Sequence, residues 1–89
     1  MAESPSKQNT GAVVIAYHPD PGLIDRLRTV REQVCRTLVV DNTPQEDREQ
    51  WLSDAAAELE LDLISNEKNL GVARALNQGI GWARNLGLK

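Results

Sequence analysis

Residues 69–80 read Asn-Leu-Gly-Val-Ala-Arg-Ala-Leu-Asn-Gln-Gly-Ile, a helix-forming pattern interrupted by two asparagines, an arginine and two glycines. Glycine costs roughly 1 kcal/mol against alanine in a helix interior, and asparagine is also a poor helix former. A helix carrying such residues trades stability for a close backbone approach or a polar contact. A helix lying tightly on a sheet accounts for Gly79 and Gly81 but not for Asn69, Arg74 and Asn77. The guanidinium of Arg74 suits a phosphate in geometry, or else a surface ion pair with Glu67. Asn77 stands at the margin of the apolar stripe, where it either caps a loop or touches a ligand.

Two further groups of polar residues follow apolar runs. Asp41 and Asn42 come directly after Leu38-Val39-Val40. A carboxylate there can accept hydrogen bonds from a base imide or a ribose hydroxyl, or close a turn with its own backbone. The residues alone support both readings equally. Tyr17-His18-Pro19-Asp20 follows the first apolar run. His18, the only histidine, reads as a solvated turn residue, and with one histidine no Ser/His/Asp or Cys/His arrangement can be assembled. There is no Gly-x-Gly-x-x-Gly after the first run and no Gly-Lys-Ser/Thr phosphate loop, which excludes the common dinucleotide and nucleoside-triphosphate signatures.

These residues must be positioned by an alternation of strands and helices. Ala12–Tyr17 is a continuous, β-branched apolar run, the pattern of a strand buried on both faces. Asp20 then serves as N-cap with Pro21 at the first helical position. The helix that follows carries Leu23, Leu27, Val30 and Val34 on one face. Thr37–Val40 is a second strand. Thr43-Pro44-Gln45-Glu46 reads as a capping box, opening a helix through Trp51, Leu52, Ala55, Ala56 and Leu59. Leu61–Ile64 alternates in part, as an edge strand does. The third helix has the stripe Val72, Leu76, Ile80 and Ala83, and Gly87 is its stop. Strand-helix repeated three times predicts α/β architecture: a Rossmann-like, three-layer parallel sheet with right-handed crossovers. The carboxyl ends of such strands share one edge, where open α/β sheets bind ligands. Residues 17–20, 41–42 and 65–69 all fall there, and helix N-termini beside them favour anions.

Composition sets the limits. With 89 residues, 40% hydrophobic and no Phe, the chain holds one small domain with an aliphatic core. Its net charge of −3, with no basic stripe interleaved by aromatics, argues against nucleic acid as partner. The single Cys35 excludes an intrachain disulfide, and its place before an apolar strand predicts a buried, inert thiol. Residues 1–10 are polar without an apolar h-region and read as a disordered leader, not a secretory signal. No apolar run is long enough for a membrane span. The expected location is cytoplasmic, with a parent enzyme at the inner face of the membrane.

Three segments together resemble the start of a family 2 glycosyltransferase of the GT-A fold. They are Val14-Ile-Ala-Tyr-His-Pro-Asp20, Leu38-Val-Val-Asp-Asn42 and the run Asn69 to Ile80. Tyr-His-Pro-Asp combined with Val-Val-Asp-Asn is most similar to the rhamnosyltransferase-like branch, which implies a dTDP-rhamnose donor in polysaccharide biosynthesis, with UDP-linked sugars as the alternative. The resemblance implies that Tyr17, His18 and Pro19 line the nucleobase pocket. It places Asp41, with Asn42 beside it, on the pyrimidine ring. Asn69, Gly71 and Arg74 fall near the base and diphosphate, and Asn77 supports that loop.

In the resembled family a later strand ends in an Asp-x-Asp motif that holds Mg or Mn on the sugar diphosphate, and no such motif stands in these 89 residues. Residues 11–89 are therefore expected to form a nucleotide-binding α/β half-domain, truncated before that motif, with the metal ligands absent and no activity alone. The resemblance also implies a sheet ordered third, second, first strand. The first strand's edge is then unpaired, and a homodimer through it is expected. The rival reading is a non-enzymatic α/β fragment or interaction module that associates through that edge.

Overall fold

A computed structural model of the chain describes residues 10–88. Three parallel strands, β1 (Gly11–Ala16), β2 (Arg36–Asp41) and β3 (Asp62–Ser65), form one sheet in the order β1-β2-β3. Three helices interleave with them: α1 (Leu23–Gln33), α2 (Trp51–Glu58) and α3 (Val72–Leu86). The α/β class, the strand order and the edge position of β3 all follow the sequence. Register pairs Ala16 with Asp41 and Asp41 with Ser65, so the three carboxyl ends are level.

The period-two alternation of strand side chains divides the core. Val14, Ala16, Val39 and Leu63 pack with Leu23, Leu27 and Leu52, which come from α1 and α2. Val13, Ile15, Leu38, Val40 and Ile64 face Ala75 and Trp82 of α3. The sheet is thus a middle layer between α1 with α2 on one side and α3 on the other. At the start of α1, the regular helix begins two residues beyond the predicted first turn. The N-cap position is Gly22, without a side-chain cap hydrogen bond, and Asp20 instead closes the turn before the helix, its Oδ1 accepting the Gly22 N–H at 2.8 Å. Gly87, at φ 69°, ends α3 as a left-handed C-cap.

Four further expectations need correction. β1 is not buried on both faces: only Ala16 is buried, because β1 lies at the sheet edge. The Thr43–Glu46 capping box does not form. Gln45–Asp47 is a single 3-10 turn, α2 starts only at Trp51, and the Thr43 hydroxyl is occupied elsewhere. Cys35 is exposed rather than buried, since it lies in the turn before β2 and not in the strand.

The fourth correction concerns α3. Val72, Leu76 and Ile80, predicted as its core stripe, are 69%, 48% and 44% exposed. Polar anchors rotate the helix: Gln78 exchanges two hydrogen bonds with Asn66, and the Trp82 indole N–H donates to Asp62 Oδ2 at 2.7 Å. The side turned to the sheet is therefore Ala75 and Gly79.

The two glycines of α3 differ in consequence. A Cβ at Gly79 would stand 2.7 Å from Cγ1 of Val13, whereas one at Gly81 meets nothing within 4 Å. Gly79→Ala gains about 1 kcal/mol of helix propensity but must displace a β-branched side chain, an overpacking cost of about 1–3 kcal/mol. Gly81→Ala gains the propensity alone. Chemical denaturation should show the first variant less stable than the parent and the second more stable by about 0.5–1 kcal/mol.

Candidate functional site

Of the five buried polar side chains among the described residues, Thr37, Asp41, Asn42, Thr43 and Asn66, four stand where β2 and β3 end. Burying such groups is tolerated only when they are hydrogen-bonded, and the partners here join the strand ends into one network. Asp41 is 2% exposed. Its Oδ1 accepts the Thr43 N–H at 2.9 Å, the local turn that such residues favour. Its Oδ2 faces Nε of Arg48 at 3.6 Å.

Arg48 holds the neighbouring connections together. Its Nη2 donates to the carbonyl of Thr43 at 3.0 Å and to the carbonyl of Asn66. The Nε–H is buried with no hydrogen-bond acceptor. Backbone at Arg48 is extended, which carries the side chain under the sheet edge and explains why the helix cannot begin at Thr43.

The amides form a connected network in which Asn66 and Gln78 are paired through two bonds. Asn66 Nδ2 donates to Asn42 Oδ1 at 2.7 Å and to Gln78 Oε1 at 3.0 Å. Gln78 Nε2 returns a bond to Asn66 Oδ1 at 2.9 Å. Asn42 Nδ2 donates to the carbonyl of Gly71 at 3.3 Å. The end of β2, the loop after β3 and the N-terminus of α3 are thereby fixed relative to one another.

From the β1 side comes His18, whose backbone N–H donates to Thr43 Oγ1 at 2.7 Å. His18 sits at φ 46°, a left-handed conformation that costs a non-glycine residue on the order of 1–2 kcal/mol. This hydrogen bond helps to hold it there. The imidazole lies edge-on to the Tyr17 ring, with centroids 4.3 Å apart, and its Nε2 is 3.9 Å from Asp47 Oδ2. A shallow hollow results, lined by His18, Pro19, Asp41, Thr43, Arg48 and Trp51 among others.

The residues singled out in the sequence divide into two groups. His18, Pro19, Asp41 and Asn42 converge on this hollow or on the network beneath it, whereas Tyr17 is exposed and touches it only through the His18 ring. Asn69 and Gly71 lie at the start of α3, where Asn69 Oδ1 accepts the Gly71 N–H at 2.8 Å and Gly71 takes φ 83°. Arg74 and Asn77 are exposed on α3. Arg74 makes no ion pair with Glu67. The loop support expected of Asn77 comes from its neighbour Gln78 instead.

Sequence reasoning missed Arg48, Thr43 and Gln78. The sequence around Thr43 matches a capping box, which masks its contact with His18. Arg48 lies in a polar stretch, Gln45–Gln50, where nothing distinguishes it from its solvated neighbours. Gln78 has a signal: it stands one turn after Arg74 on the flank of α3 that also carries Trp82.

Among the described residues no three His, Cys, Asp or Glu side chains come together as metal ligands, and no helix is long and apolar enough to cross a membrane. A family model described as "Glycosyl transferase family 2" matches residues 12–85. No curated protein and no solved structure gives a match to the chain.

Proposed function

The chain belongs to glycosyl transferase family 2, and we propose that its strand-end loops hold the nucleotide of that family's nucleotide-sugar donor, with dTDP-rhamnose as the donor. The observation that carries this reading is the pairing of Asp41 with Arg48. Asp41 Oδ2 is an acceptor without a hydrogen bond from Arg48 Nε, and that Nε–H is a buried donor without an acceptor. Asp41 lines the hollow, where its carboxylate can accept the imide N–H of thymine or uracil, while the buried Arg48 Nε keeps that carboxylate charged from beneath and stays out of the base's reach. The His18 ring, backed by Tyr17, supplies surface next to that N–H. The first N–H groups of α3 offer the positive end of a helix to a diphosphate, with Arg74 exposed on the same first turn.

The divalent ion that the resemblance implies would neutralise the departing diphosphate. The described residues do not fit it: no three candidate ligands converge, and the Asp41 oxygens are turned to Thr43 and Arg48. What these residues do is bind the nucleotide and orient it along the strand ends.

Titration of the chain with dTDP or UDP should shift amide resonances at residues 17–20, 41–42 and 66–74. Affinity should be weak, on the order of 1 mM or about −4 kcal/mol, because no ion bridges the diphosphate to these residues. CDP presents a ring acceptor in place of the imide N–H and should bind about tenfold or more weaker, the equivalent of about 1.4 kcal/mol. Shifts scattered over the surface, or equal binding of CDP, would refute the assignment of the base edge.

A further inference from the structure

The hollow at Asp41 is not polar throughout. Asp41 stands two residues after Val39, so its side chain falls on the same face of the sheet, the one that α1 and α2 cover. There α2 begins, and Trp51 and Leu52 from its first turn line the hollow together with Asp41. Leu52 belongs to the core at 3% exposure. Trp51 packs against that core but is only half-buried, so part of its indole stays open to the hollow. The two tryptophans also differ in their N–H groups. That of Trp82 is bound to Asp62 Oδ2, whereas the indole N–H of Trp51 has no hydrogen-bond partner among the described residues. A buried tryptophan normally finds one. The Trp51 ring is thus held by apolar contact alone, with one edge left over.

We propose that Trp51 reads the C5 position of the nucleobase and so makes the site selective for thymine over uracil. The inference rests on the base assignment made above, with Asp41 accepting the imide N–H. The helices α2 and α3 lie on opposite faces of the sheet. A nucleotide whose diphosphate meets the first turn of α3 must run its ribose across the strand ends from Asp41. The ring carbon opposite the ribose-bearing nitrogen is C4, and C5 is next to it. The C4–C5 edge of the base is then turned away from α3, toward the side on which Trp51 stands. At C5 uracil carries a hydrogen and thymine a methyl group. Three neighbours in the hollow do not compete for that methyl: Asp47 and Glu49 are charged, and Leu52 is sealed in the core.

Transfer of one methyl group out of water favours binding by about fourfold, the equivalent of about 0.8 kcal/mol. The hollow is shallow, so contact with one indole edge should give about two- to fourfold. dTDP and UDP differ in a ribose hydroxyl as well as in the methyl group, so dUDP is the comparison that isolates the methyl.

Amide titrations of the full chain with dTDP and with dUDP should both move residues 17–20 and 41–42, with dTDP binding about two- to fourfold tighter. The indole N–H resonance of Trp51 should shift more with dTDP than with dUDP, while that of Trp82, on the far face of the sheet, stays in place. This readout needs no variant and decides the matter even where Trp51→Ala fails to fold. In a folded Trp51→Ala the two affinities should come together, with the shifts at residues 41–42 retained. Equal affinity of the parent for dTDP and dUDP, a Trp51 resonance that neither nucleotide moves, or a thymine preference that survives Trp51→Ala would each overturn the role of Trp51 and leave the base assignment standing. Absence of shifts at residues 17–20 and 41–42 with both nucleotides would remove the base assignment, and this inference with it.

Discussion

Asp41→Ala should abolish the nucleotide-induced shifts and also destabilise the fold by about 2–4 kcal/mol. The carboxylate is buried, accepts the Thr43 N–H, and faces the guanidinium of Arg48. Removing it leaves a buried donor unsatisfied, at about 1–3 kcal/mol, and a cation without its counter-charge. Breaking a fully buried pair costs about 3–5 kcal/mol. The side chain of Arg48 is 23% exposed and retains two carbonyl partners, so the loss here should be smaller. Against a total stability of about 5–15 kcal/mol for a typical domain, the alanine variant loses a large share. Binding lost in that variant would be ambiguous between contact and fold.

Asp41→Asn separates the two. With its oxygen kept on the Thr43 N–H, the amide NH2 takes the place of Oδ2, putting a donor where the imide requires an acceptor. Binding of dTDP and UDP should fall while CDP gains, at a stability cost of about 1–2 kcal/mol. Denaturant midpoints and nucleotide titration of the same samples check both parts. Unchanged dTDP affinity in a folded asparagine variant would remove Asp41 from the base contact.

The features that were legible in the chain depend on periodicity and on strand ends. Alternating apolar runs gave the three strands and three helices, and the level carboxyl ends brought Tyr17 to Pro19, Asp41 and Asn42 to one edge. The rotation of α3 was hidden because its apolar arc is broad. Ala75, Gly79 and Trp82 occupy one half of it; Val72, Leu76 and Ile80 the other. Only tertiary anchors decide between the halves, and these are the partners of Gln78 and Trp82. Arg48 was hidden for another reason. Its role depends on an extended backbone at one position after a 3-10 turn, and the local sequence instead matched a capping box that Thr43 does not form. Local propensity was overridden where polar groups had to be satisfied under the sheet edge.

Asn66→Ala should cost about 2–3 kcal/mol, although Asn66 lines neither the hollow nor the apolar core. Its side chain makes three hydrogen bonds, two to Gln78 and one to Asn42. Truncation orphans the Asn42 oxygen, which lies on a residue only 2% exposed and has no route to water without opening the strand end. Gln78 is half-buried and can turn outward, so Gln78→Ala should cost less, about 1–2 kcal/mol. The two substitutions break the same bonds, so the double variant should be less destabilised than the sum, with a coupling of about 0.5–3 kcal/mol. The network also fixes Gly71, because Asn42 Nδ2 donates to its carbonyl. Without Asn66 this contact loses its support, and the first turn of α3 can drift from the end of β2. Amide exchange at residues 66–72 should therefore quicken and nucleotide affinity decline, with Asp41 and Arg48 both in place. An Asn66→Ala variant as stable as the parent, with exchange at those residues unaltered, would show that the amide network does not position the site.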